Sequence, residues 1–171
     1  TGDQALVLLD NGAKKVVGID FTLGMLIQAR KKTSEPAISL VQGDALNLPF
    51  VDESFVASTT AFAMRNVDDI ERAFSEMKRV VRPGGQVACL DISVPPKGIF
   101  RYIFHFYFYR VVPVLGGIIS GQVDAYQYLP HSLDTFPSAE GLASLMKQAG
   151  LRDVSFKRLN AGSLTLHIGT V

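Results

Sequence analysis

Two aspartates, Asp20 and Asp44, each close a strand-like run and open a turn of small residues. Lys15-Val16-Val17-Gly18-Ile19-Asp20 leads into Phe21-Thr22-Leu23-Gly24-Met25. Ala37-Ile38-Ser39-Leu40-Val41-Gln42-Gly43-Asp44 leads into Ala45-Leu46-Asn47-Leu48-Pro49-Phe50. A carboxylate at the C-terminal end of a parallel strand faces the crevice in which open α/β sheets bind ligands. Two of them on successive strands can hold a nucleoside at both ends, one at the ribose diol and one at the base. A nucleoside-containing cofactor is therefore the first expectation.

The elements around them follow from periodicity and punctuation. Residues 1–11 predict a helix that stops at Asn11-Gly12. Strands are predicted over 15–20, 37–42 and 55–62, with a helix from a Thr22 cap to about Lys32 between the first two. A helix is predicted after Asn66, because Val67, Ile70, Ala73, Phe74, Met77, Val80 and Val81 recur on one helical face. Asp68, Asp69 and Glu71 at its start and Lys78, Arg79 and Arg82 at its end suit the helix dipole. Pro83-Gly84-Gly85 ends it, and 86–92 reads as a fourth strand. An irregular, aromatic-rich insertion fills 95–137, then Ser138 caps a last helix and two strands close the chain. That order is a doubly wound α/β domain, mostly parallel, with a C-terminal antiparallel hairpin. A cofactor loop rich in glycine normally joins a first strand to a first helix. This chain opens at the helix itself, on Thr1-Gly2-Asp3, so the expectation is that it begins inside a larger protein and lacks that first strand.

Composition narrows the classes. A chain of 171 residues is one domain's worth, and 17 basic against 16 acidic side chains leave a net charge of +1. That balance gives no electrostatic footprint for nucleic acid. Cys89 is the sole cysteine, which excludes an internal disulfide and favours an intracellular setting. The opening residues have no basic leader pattern. The apolar run 98–119 is broken by Arg101, His105, Arg110, Pro113 and Gly116-Gly117, so it does not read as a spanning helix of about 20 apolar residues. No His, Cys and carboxylate cluster has metal-ligand spacing, and no nucleophile elbow is present.

With these elements placed, the motifs resemble those of the class I S-adenosylmethionine-dependent methyltransferases. Thr1-Gly2-Asp3 is similar to the tail of their glycine-rich first motif, and Val17-Gly18-Ile19-Asp20 with Gly24-Met25-Leu26 to the second. Gly43-Asp44-Ala45 resembles the third, and Arg82-Pro83-Gly84-Gly85 the turn before the fourth strand. Phe62-Ala63-Met64-Arg65-Asn66-Val67, Asp124-Ala125-Tyr126-Gln127-Tyr128-Leu129 and Leu164-Thr165-Leu166-His167-Ile168-Gly169 look like the narrower ubiquinone/menaquinone biosynthesis C-methyltransferase family.

The resemblance implies a Rossmann-like methyltransferase domain over 1–171, with 95–137 as a lid over the substrate. It implies S-adenosylmethionine as cofactor and a polyprenylated quinol as methyl acceptor. It also implies a cytoplasmic protein in contact with a membrane surface, and leaves homo-oligomerisation open. Asp20 would accept from the ribose hydroxyls, and Asp44 with the Ala45 backbone would read the adenine edge. Met25 would lie against the nucleoside, unless it is a core methionine. Thr1 and Gly2 would border the methionine carboxylate, and Ala61 would shape the cofactor wall. Arg65 would lower the pKa of a ring hydroxyl and steady the phenolate. Asn66 would either hydrogen-bond the acceptor oxygen or cap the following helix. Tyr126 and Tyr128 would line the quinol ring or pack in the core, and the aromatic stretch 102–109 would wall an isoprenoid tail. His105 and His131 read as proton shuttles or structural residues. His167 receives no role.

Overall fold

The computed structural model describes residues 1–96, 98–112, 133 and 135–171. Tyr126, Tyr128 and His131 lie outside the described residues.

The elements are α1 (Asp3–Asp10), β1 (Val16–Asp20), α2 (Leu23–Lys32), β2 (Ile38–Gln42), β3 (Phe55–Ala61), α3 (Ile70–Arg79), β4 (Val81–Ile92), α4 (Ile99–Phe106), α5 (Ala139–Gln148), β5 (Arg152–Leu159) and β6 (Leu164–Thr170). The strands form two ladders. β1 pairs with β2 in parallel, and a four-stranded sheet runs β3-β4-β6-β5. Within the second sheet β3 and β4 are parallel, whereas β6 is antiparallel to both β4 and β5. The fold is thus α/β, with parallel pairs N-terminally and the expected antiparallel hairpin at the end. Among the described residues no ladder joins β1 to β3.

The core lies under the four-stranded sheet. Phe74 and Met77 of α3, Val81, Val87 and Cys89 of β4, and Leu142 and Met146 of α5 form one buried cluster. Every second residue of β4 from Gly85 to Asp91 is buried, the period a sheet face imposes. Gly85 is required there, since a Cβ would meet the Val56 carbonyl and the Val81 side chain, both at 2.5 Å.

Three local expectations are corrected. α3 begins at Ile70 rather than after Asn66, because the Asp69 carboxylate caps it by accepting from Arg72 N at 2.9 Å. β4 begins at Val81, ahead of Pro83-Gly84-Gly85, because pairing of Phe55 with Val81 draws these residues into the strand through a bulge. The start of the aromatic insertion is not irregular: 99–106 is helical, and a wider helical turn continues it over 107–111. Thr22 does stand at the N-cap of α2, but its side chain makes no cap hydrogen bond. Ser138 caps α5 as expected, accepting from Gly141 N at 3.1 Å.

Candidate active site

Parallel pairing puts Asp20 opposite Gln42, so Asp20 and Asp44 stand at the same end of neighbouring strands. Each carboxylate is oriented by its own turn. Asp20 Oδ1 accepts from Thr22 N at 2.8 Å, and Asp44 Oδ1 accepts from Leu46 N at 2.8 Å. Asn47 N donates to the Asp44 carbonyl at 3.1 Å, while the Ala45 N–H is not used by the turn. In each acid one oxygen holds the loop, and among the described residues no hydrogen bond to the second oxygen occurs.

The loop after Asp44 is fastened to α3. Glu76 Oε2 accepts from Leu48 N at 2.8 Å. Arg79 donates to the carbonyls of Leu48 at 2.9 Å and Phe50 at 2.8 Å, and to Asp52 at 2.8 Å. Arg72 Nε donates to the Leu46 carbonyl at 2.9 Å. Hydrogen bonding to Arg79 holds the Glu76 carboxyl below the usual carboxylate range. Sequence reasoning read Arg79 only as a dipole charge and gave Glu76 no role. Nothing in the helical pattern says which loop crosses that face.

Around Asp20 the remaining residues are exposed or small. Met25 is 42% exposed, which removes the core alternative. Thr1 Oγ1 donates to Asp3 at 2.6 Å, and Lys32 joins Asp3 at 2.9 Å. Gly2 adopts φ +87°, and a Cβ there would meet Thr33 Cγ2 at 2.7 Å, so glycine permits the contact between α1 and α2. Gln4 of α1 donates to Thr59 Oγ1 of β3 at 3.0 Å.

Ala61 ends β3 opposite Leu90 and is half-buried. The next residue, Phe62, takes φ +58°, a left-handed conformation costly for an aromatic residue, and turns the chain into the short 3₁₀ segment Met64–Asn66. Arg65 points inward to Asp91, with Nη1–Oδ1 at 2.7 Å. Asn66 is exposed, and the N-cap position of α3 is held by Asp69.

Asp91 escaped the sequence reading. It stands near the C-terminal end of β4, so the rule that singled out Asp20 and Asp44 applied to it as well. His167 is fully buried, with Nε2 2.8 Å from the Ala139 carbonyl. The carbonyl can only accept, so Nε2 carries the proton. Burial pushes the His167 pKa below the usual histidine value, and burial together with the Asp91 charge pushes the Cys89 thiol up to about 12. A cleft of about 540 Å³ lies between α4 and the residues after β4, with Arg101, Phe104, His105, Phe136 and Glu140 on its wall. Among the described residues no helix is long and apolar enough to cross a membrane, and no group of three potential metal ligands occurs.

Strand-end acids beside short turns, on this strand order, define a class I methyltransferase fold. A SAM-dependent methyltransferase from Aquifex aeolicus superposes with TM-score 0.67 at 17% identity, over 97% of this chain and 75% of that one. Residues 1–171 match the ubiE/COQ5 methyltransferase family, and the chain belongs to that family. It is therefore an S-adenosylmethionine-dependent methyltransferase by family. The demethylmenaquinone methyltransferase of Thermus thermophilus is 43% identical over 172 residues, covering 99% of this chain and 78% of the relative. That of Roseiflexus castenholzii is 44% identical over 153 residues, covering 90% of this chain and 64% of the relative.

Proposed function

We propose that this chain methylates a ring carbon of a polyprenylated quinol, taking the methyl group from S-adenosylmethionine. The observation that carries the reading is the pair of half-anchored carboxylates, Asp20 and Asp44, at neighbouring strand ends. Their donor chemistry fits a nucleoside: the open oxygen of Asp20 accepts from the ribose diol, and that of Asp44 from the adenine amine. The Ala45 N–H reads the adenine edge beside it. Met25 covers the nucleoside, Ala61 shapes the wall, and Thr1 and Gly2 border the amino-acid end. The names of the relatives supply the acceptor, since those proteins are demethylmenaquinone methyltransferases.

The cofactor supplies an electrophilic methyl on sulfur. This chain's part is to hold the acceptor ring in line with that methyl and to raise the electron density of the attacked carbon. With the cofactor bound, the acceptor's ring carbon would take the methyl from sulfur and release its own proton to water. Arg65 directs its N–H groups at the acceptor's hydroxyl oxygen and favours the phenolate. Because Asp91 pairs with its charge, this support is directed hydrogen bonding rather than a free positive field. Asn66 donates to the same oxygen. Residues 95–137 serve as the substrate lid. The exposed Ile99, Phe100, Ile103 and Phe106 of α4 suit contact with the tail or with the membrane surface that holds it.

Incubation with methyl-labelled S-adenosylmethionine and a short-tailed demethylated quinol tests the reading by mass spectrometry of the ring. One added methyl on carbon is the expected product. Methylation of oxygen, or transfer only to a sterol or a simple phenol, would contradict it.

A further inference from the structure

β4 carries a third strand-end carboxylate, buried where the first two are open. Asp91 follows Leu90, the partner of Ala61, and so stands at the end of the sheet from which Arg65 descends. Its side chain is 0% exposed and that of Arg65 10% exposed. Asp91 Oδ1 accepts from Arg65 Nη1 at 2.7 Å and from Ile92 N at 2.8 Å, so the backbone fixes the carboxylate that fixes the guanidinium. The match is incomplete: Asp91 Oδ2 and Arg65 Nε are both buried with no hydrogen-bond partner among the described residues. A buried ion pair is weak support for a fold, and apolar residues of similar volume commonly replace one without loss. Two unpartnered polar atoms weaken it further. Folding alone therefore does not account for a carboxylate flanked by Leu90 and Ile92, with Cys89 two residues away.

We infer that Asp91 is a positioning residue, which locks the Arg65 guanidinium in one orientation at the acceptor side of the site. The inference rests on the assignment of Arg65 to the acceptor hydroxyl given above. Monodentate pairing through Nη1 alone stops the guanidinium from swinging while leaving its other nitrogens uncommitted to the carboxylate. Misplacement of a reacting group by about 1 Å is enough to cost about 100-fold in rate. Asp91 acts only through Arg65 and touches neither substrate nor cofactor.

The test is a cycle of Asp91→Asn, Arg65→Met and the double variant in the 171-residue chain, with Asp91→Glu as the conservative control. Asp91→Asn is expected to lower kcat about 100-fold and to leave KM for S-adenosylmethionine unchanged, with Asp91→Glu recovering part of the loss. In the Arg65→Met background the same Asp91→Asn change is expected to cost nothing further, because the residue it positions is gone. A further loss of similar size in that background, or an unchanged kcat in Asp91→Asn, overturns the inference.

A readout without turnover runs beside it. The Arg65 Nε–H resonance, identified by its absence in Arg65→Lys, is expected to exchange slowly with solvent in the wild type and rapidly in Asp91→Asn. Equal exchange in both overturns the inference, whatever the activity. A wild-type chain that binds S-adenosylmethionine but methylates no quinol overturns the acceptor assignment instead, and the exchange result still decides whether Asp91 positions Arg65.

Discussion

The two ladders are built to different standards. In residues 1–50 the buried side chains are Ala5, Ala29, Thr33 and Leu48, and all five positions of β1 are only half-buried. Around the four-stranded sheet the buried set includes Phe74, Met77, Val87, Leu142, Met146 and Leu151. The second region is a close-packed core, and the first is a less buried frame that presents Asp20 and Asp44, reaches the core through Leu48, and packs Ile19, Leu46 and Phe50 against it. The comparison teaches where each task sits. Most of the buried core lies on α3, α5 and β4, and the carboxylates assigned to the cofactor stand beside Ile19 and Leu46, which only border it. The frame is further joined to the core by hydrogen bonds that Arg72 and Arg79 donate, by the one Glu76 accepts from Leu48 N, and by Gln4 to Thr59.

If that division holds, the largest loss of stability follows a cut in the core. Phe74→Ala should destabilise the protein by about 3–5 kcal/mol in denaturant titration. Should an equal loss follow from Ala29→Gly in the frame, the division would be wrong. A smaller effect should follow Arg79→Met, which releases the loop from Leu48 to Asp52. About 2 kcal/mol is expected, with weaker S-adenosylmethionine binding because Asp44 and Ala45 lie just before that loop. Unchanged affinity beside the lowered stability would show that the clamp serves the core alone.

The smallest effect concerns pH and belongs to the core region only. The folded state keeps His167 neutral, because burial lowers its pKa, whereas the unfolded chain takes up a proton near pH 6.5. The unfolded state therefore binds more protons below that pH, and stability falls as pH drops from about 6.5 toward the lower folded value. A thermal-melt series from pH 7.5 to 5.5 should show this fall in the wild type and a flatter profile in His167→Gln. Identical slopes would remove His167 from the account.

How much of this was legible depended on whether one strand or several elements carried the signal. Asp20 and Asp44 were legible because each sits beside a local signature, an apolar run meeting a small-residue turn. Asp91 also stands near a strand end but lacks that signature, since Leu90 and Ile92 flank it and its partner Arg65 lies 26 positions earlier. α3 is predicted too early because Asn66 suits a cap and Val67 fits the helical face, and only the hydrogen bond from Arg72 N to Asp69 sets the start. Pro83-Gly84-Gly85 read as a stop because composition cannot show that Phe55 pairs with Val81 across the bulge. The Arg79 clamp required knowing which loop crosses α3. Tertiary placement decided each of these.

Asp20 and Asp44 are assigned above all to holding S-adenosylmethionine. Calorimetric titration of S-adenosylmethionine into the wild type and into Asp20→Ala tests it most directly, with a thermal melt of each protein. Loss of the charged contact should weaken binding by about 1.5–3 kcal/mol, roughly 10- to 100-fold, with the melting temperature of the free protein lowered only by the loss of the exposed Thr22 N contact. Equal affinity in the two proteins would contradict the assignment of the site.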